Sequence, residues 1–182
     1  SAIYGGAIRG SSGSLKVLDS IFRRNRAGEG GGICFSGDGA QTADISRSVF
    51  TGNNATVCGG AIRAFGATTV IVRSSRFHTN RAQQGGGLSF GRQGGTATRI
   101  FDSMFELNYA RKGGGAINVQ YHDDDQVVSA GDSHVAICNS KFLSSSTSIS
   151  ERNSSQHNGI AQNKSSLVAF VCSADPWSTA SS

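Results

Sequence analysis

Apolar and polar residues along this chain follow two nested rhythms, a long one marked by phenylalanine and a short one of two residues. Phe22, Phe50, Phe77, Phe105 and Phe142 stand 28, 27, 28 and 37 residues apart, the wide last interval marking an insertion. Five residues before each comes an aliphatic residue (Val17, Ile45, Val72, Ile100, Ile137), and two before that another small or apolar one (Leu15, Ala43, Val70, Thr98, Val135). A spacing of two is the signature of a strand with one buried face. A third apolar point, at Ile8, Ile33, Ile62, Leu88 and Ile117, follows a run of glycines. Each unit therefore predicts three short extended segments: the glycine-led one, the aliphatic alternation and Ser-x-Phe. The corners between them are rich in Gly, Asn, Ser and Arg, and no segment is long enough for a helix. Five is an odd number, so the inward parity flips between the aliphatic residue and the phenylalanine, and the chain has to bend there.

Repetition of this kind predicts an all-β fold, a parallel β-helix (solenoid) of about five turns with three short strands per turn and a degenerate C-terminal turn. Equivalent residues of successive turns then stack about 4.8 Å apart, the ordinary strand spacing, and each repeated position becomes a ladder. The Phe and Ile/Leu ladders fill the interior, at roughly 1.5 to 3 kcal/mol per buried side chain. Three residues after the first four phenylalanines stand Asn25, Asn53, Asn80 and Asn108. A side-chain amide donates and accepts, so stacked copies can bond to one another and to corner backbone, and Asn tolerates left-handed geometry. Ser20, Ser48, Ser75, Ser103 and Ser140 are expected to stack likewise.

The repeats occupy residues 1–143. Beyond Ile117 the rule weakens in an enlarged loop, Tyr121-His122-Asp123-Asp124-Asp125-Gln126, before Val135 resumes the pattern, and the fifth turn has Ser145 where Asn is due. Residues 144–166 form a Ser-rich polar excursion, and residues 167–182 a terminal strand, Leu167-Val168-Ala169-Phe170-Val171-Cys172, with a tail. The first residues already lie inside a repeat, which reads as a piece of a longer polypeptide.

Composition narrows the function classes. Twenty-five glycines with a single proline place glycine at fixed backbone positions rather than in a disordered tract. No apolar run approaches 18 residues, so no transmembrane helix is expected. Seventeen basic against twelve acidic residues favour anionic surfaces and acidic glycans over nucleic acid, since no basic run stands out. Four cysteines fit an oxidising compartment. Cys138 and Cys172 each follow an inward aliphatic residue of the same strand type, so neighbouring strands would bring them within bridging range. Cys34 lies one past Ile33 and Cys58 four before Ile62, an offset of roughly 16 Å on straight strands; a corner would reunite them, and bridge and thiols both stay open. No spacing suggests zinc or another metal, and no cofactor is expected.

Gly-Gly-Ala-Ile at residues 5–8, 59–62 and 114–117, with Gly30-Gly31-Gly32-Ile33 and Gly85-Gly86-Gly87-Leu88 carrying a third glycine, alternates with Phe22/Asn25, Phe50/Asn53, Phe77/Asn80 and Phe105/Asn108. Over residues 5–117 this resembles the paired motifs of chlamydial polymorphic outer membrane proteins. The resemblance implies a surface-exposed β-helical passenger region, adhesion and autotransporter secretion. The chain departs from that pattern in the missing fifth Asn, in the lack of a stretch readable as a membrane β-barrel, and in three N-glycosylation sequons at Asn54, Asn153 and Asn163.

Two clusters invite a chemical reading. His122, Asp123, Asp124 and Asp125 combine carboxylates with a base, as β-helix polysaccharide lyases and epimerases do, though a solvated loop is the simpler reading. Arginines at outward places (Arg9, Arg26, Arg63, Arg73, Arg76, Arg81, Arg99, Arg111) suit a face for acidic glycan or a solubilising surface that discourages edge pairing. Together these features predict a non-enzymatic extracellular or cell-surface module, structural, adhesive or fibre-forming, without catalytic residues, glycosylated and assembling end to end. The alternative is a carbohydrate-active enzyme. Expected partners are other copies or further repeats, surface glycans, or a host or cell-surface protein; nucleic acid is not among them.

Overall fold

The computed structural model describes residues 2–91, 97–120, 135–143 and 149–152, and among these every regular element is a strand. The first turn comprises β1 (Ala2–Tyr4), β2 (Ile8–Gly10), β3 (Ser14–Leu18) and β4 (Ile21–Arg23). The second has β5 (Arg26–Glu29), β6 (Ile33–Ser46) and β7 (Val49–Thr51), and the third β8 (Asn54–Cys58), β9 (Ile62–Arg73) and β10 (Arg76–His78). The fourth has β11 (Arg81–Ala82), β12 (Leu88–Gly91), β13 (Ala97–Phe101) and β14 (Met104–Glu106). After it come β15 (Tyr109–Ala110), β16 (Ile117–Gln120), β17 (Val135–Cys138), β18 (Lys141–Leu143) and β19 (Ile149–Arg152).

Each strand pairs in parallel with its counterpart one turn on, which makes the chain a parallel β-helix. An alanine sheet runs β1-β5-β8-β11-β15 and a phenylalanine sheet β4-β7-β10-β14-β18. The remaining nine strands form one broad sheet, because β6 and β9 continue from the glycine-led segment into the aliphatic one. From Phe22 to Phe142 there are four full turns, so five rungs bound four turns where counting units predicts about five. The three expected segments are present in every turn, and a fourth joins them, the short Arg-Ala type strand of the alanine sheet. Inside the stretch read as a polar excursion, β19 pairs with β16 and sets Ile149 beside Ile117.

The interior follows the predicted ladders. The five phenylalanine rings lie 4.6, 4.9, 4.7 and 5.0 Å apart between centroids, with interplanar angles of 8° or less. Ile33, Ile62, Leu88 and Ile117 are fully buried beside them, and Ile8 is half-buried at the first turn. A further inward column reads Gly10, Phe35, Ala64, Phe90 and Val119, where large and small residues alternate so that rings lie over smaller neighbours.

Corners are made by left-handed residues. Asp19, Arg47, Ser74, Asp102 and Asn139, between the aliphatic strand and Ser-x-Phe, all have φ of 47° or 48°. Arg24, Gly52, Thr79 and Leu107, two after each phenylalanine, have φ of 52° to 63°, and Gly5, Gly30, Gly59 and Gly85 of 58° to 66°. The left-handed residue is therefore the one before each ladder asparagine and not the asparagine itself. A non-glycine residue in this conformation costs about 1 to 2 kcal/mol. Every turn accepts that cost in the same way because the corner N–H then points along the coil axis: Asp19 donates to the Ser46 carbonyl and Arg24 to that of Thr51.

Candidate functional site

The recurring polar side chains face inward and bond to one another. Asn53 Oδ1 accepts the backbone N–H and the Nδ2 of Asn25, both at 3.0 Å, while Asn53 Nδ2 donates to the Phe22 carbonyl and to Asn80 Oδ1. Asn80 repeats the pattern toward Phe50 and Asn108. The serines form a second chain. Each of Ser48, Ser75, Ser103 and Ser140 accepts on Oγ the N–H of the serine one turn before and donates its hydroxyl to the carbonyl two residues back. These ladders, like the Phe and Ile columns, face inward and join each turn to the next.

A polar cluster, buried except at its Arg9 end, lies on the other side of the glycine-led strands. There Arg9, Cys34, Arg63, Ser89 and Asn118 stand in register, turn upon turn. Glu29, Cys58 and Gln84 form a second column, before the glycine corner. The corner folds the two columns onto each other. Arg63 Nε stands 3.5 Å from Glu29 Oε2, Arg63 Nη1 donates to Ser89 Oγ at 2.9 Å, and Arg9 lies over the Tyr4 ring at 4.7 Å. Arg63, expected to point outward, is only 9% exposed. Cys34 and Cys58 are both thiols, both buried, and both share Glu29 and Arg63 as charged neighbours, so the separation expected on straight strands does not apply. Burial, with Glu29 adding to it, pushes the Cys34 thiol up to about 11, and burial likewise raises Cys58. These are protonated, unreactive groups at neutral pH. No motif announced this cluster; the one signal was a column of mixed Arg, Cys, Arg, Ser and Asn, unlike a solvated face.

The remaining predicted positions divide between the exposed faces and residues outside the described ones. Asn54 and Thr56, the sequon pair, are both exposed on the alanine sheet. Asn153 and Asn163 lie outside the described residues, as do Tyr121, His122, Asp123, Asp124, Asp125 and Gln126. Cys138 sits beside Phe101 in register, while Cys172, its expected bridge partner, lies outside the described residues. Arg9, Arg26, Arg73, Arg76, Arg81, Arg99 and Arg111 are exposed as expected. Arg47 forks onto both oxygens of Asp19 at 2.7 Å and holds that carboxyl below its usual range; Arg76 Nη2 donates to one oxygen of Glu106, Oε2, at 2.6 Å and lowers that carboxyl as well. No group of three or more His, Cys, Asp or Glu gathers as metal ligands among the described residues.

Residues 47–64 match the model of the Chlamydia polymorphic membrane protein (Chlamydia_PMP) repeat. That stretch holds one copy each of the corner residue Arg47, Ser48, Phe50, Asn53, Gly59-Gly60 and Ile62, the positions that form the ladders here. No curated protein and no solved structure matches the chain.

Proposed function

From a chain whose repeats are of the Chlamydia polymorphic membrane protein type, we propose a non-enzymatic β-helix module displayed outside the cell or on its surface, with a structural or adhesive role. One observation carries this. The polar groups that recur from turn to turn are turned inward and satisfied by one another, while the side chains that meet solvent differ between turns. Repetition therefore serves the rod, and its exposed faces are left for contacts. Glycans at Asn153 and Asn163, a Cys138–Cys172 bridge and stacking of further repeats or copies on the end strands belong to the same proposal. Partners would be surface glycans or a protein of a neighbouring cell.

Surface display is open to direct test. A membrane-impermeant, amine-reactive biotin applied to intact source cells should label this chain, because Lys16, Lys112 and Lys141 are all exposed. Labelling seen only after lysis would overturn the proposal.

A further inference from the structure

Acidic side chains on this rod are segregated by face, while exposed basic ones occur on all of them. The described carboxylate side chains are all engaged: Asp19 by Arg47, Glu29 by Arg63, Asp44 by Arg73, Glu106 by Arg76 and Asp102 by Asn139. Four of those pairs belong to the broad and phenylalanine sheets and their shared corner. The fifth acid, Glu29, sits at the rim of the alanine sheet and turns toward the buried Arg63. The outer face of the alanine sheet is thus left basic. Arg26 and Arg81 both stand in register with Asn54, so they lie two strand spacings apart, about 10 Å, along the coil axis. Tyr109 follows in register with Arg81, the residue 44% exposed and the Arg81 guanidinium 5.3 Å from its ring centroid. Arg24 precedes this strip at the corner, and Arg111 and Lys112 end it, all exposed.

We propose that this face binds an acidic polysaccharide, bearing carboxylate or sulfate groups, laid along the coil axis. An arginine fork takes an oxyanion through two parallel N–H bonds. The distance between Arg26 and Arg81 is comparable to one disaccharide, so successive anionic groups of a linear polymer meet one guanidinium each. Asn54 between them offers neutral hydrogen bonds, and the flat Tyr109 ring offers an apolar surface with a polar tip on which a pyranose can lie. Nucleic acid fits less well. Duplex DNA carries a charge every 1.7 Å or so of its axis, far denser than this strip can neutralise. Such a face matters on a protein displayed outside the cell and so rests on that reading, yet its test needs only the purified chain.

The full chain, made in a host without N-glycosylation, is passed over immobilised heparin and over unmodified dextran at physiological ionic strength. Retention on heparin alone is expected, and the double variant R26S/R81S should weaken it by about tenfold or more. K16S/R99S removes the same charge from another face, where both side chains are exposed and neither is paired to a carboxylate among the described residues, and should leave binding within about twofold. Circular dichroism and melting confirm that both variants fold. Failure to bind heparin, equal weakening by the two double variants, or equally tight and equally Arg26/Arg81-dependent binding of a single-stranded oligonucleotide would each overturn the proposal.

Discussion

Asparagine suits its column because it is short, uncharged and able to donate twice and accept twice. Asn53 uses all of that capacity: two N–H groups of Asn25 reach its oxygen, and its own amide hydrogens go to Phe22 and Asn80. No other uncharged side chain of that length supplies both halves. Replacing Asn53 by Ala strands the amide groups of Asn25 at a half-buried rung and the Phe22 carbonyl in the interior. At about 1 to 3 kcal/mol for each group left unsatisfied, the variant should lose roughly 2 to 4 kcal/mol and melt roughly 5 to 15 °C lower. Asn25→Ala, at the half-buried first rung, should cost clearly less. Thermal melts of the two variants side by side decide it, and an Asn53 variant that melts like the parent would remove the ladder from the account of stability.

At the scale of the element, corners and strands place different demands on sequence. Gly52 and Gly59 have nearly the same φ, 63° and 66°. A Cβ at Gly52 would meet only Arg24 Cγ at 3.6 Å, whereas at Gly59 it would run into the Ile62 backbone, 2.6 Å from its carbonyl carbon, and lie 2.8 Å from the Arg63 nitrogen. Gly52→Ala should therefore cost only the left-handed penalty of about 1 to 2 kcal/mol, and Gly59→Ala at least about 3 kcal/mol. Equal shifts in urea midpoint would contradict the close approach at the glycine corner. The same contrast explains what could be read from the chain. Glycine doublets, phenylalanines and asparagines recur because their columns require one residue type, and they are legible. The corners at Asp19, Arg47 and Ser74, or at Arg24, Thr79 and Leu107, require only a backbone angle, so their side chains share no pattern. The alanine sheet is not legible as a separate strand because its inward residues, Ala27, Ala55, Ala82 and Ala110, recur but carry almost no hydrophobic signal. Arg63 looked like a surface residue until the corner folded Glu29 over it.

The described residues form a stack in which each turn pairs with the turn before and the turn after. Stability in such a stack is a sum of rungs and interfaces, and it is smallest at an end. Amides of the middle rungs, such as Arg76 donating to Ser48 and Met104 donating to Ser75, should exchange with solvent at least about tenfold more slowly than those of Ala2–Tyr4 and Ile8–Gly10. Hydrogen exchange read by mass spectrometry measures this, and uniform protection across the rungs would show a single cooperative unit instead. At this scale the rungs differ at their faces, and the alanine-sheet face gathers Arg26, Arg81, Arg111 and Lys112, all exposed and none of them ion-paired among the described residues.

The serine chain has one more consequence. Each Oγ from Ser48 to Ser140 accepts from the turn before it and donates to the carbonyl two residues back, so the chain has a sense, like an arrow along the axis. The asparagine oxygens point the same way. At the first rung, Ser20 Oγ and Asn25 Oδ1 face away from the stack as acceptors. Two rods related by a two-fold axis at that end would set oxygen against oxygen. A rod added in the same sense would bring N–H groups to both. A contact made in that sense would be heterologous, joining two different surfaces.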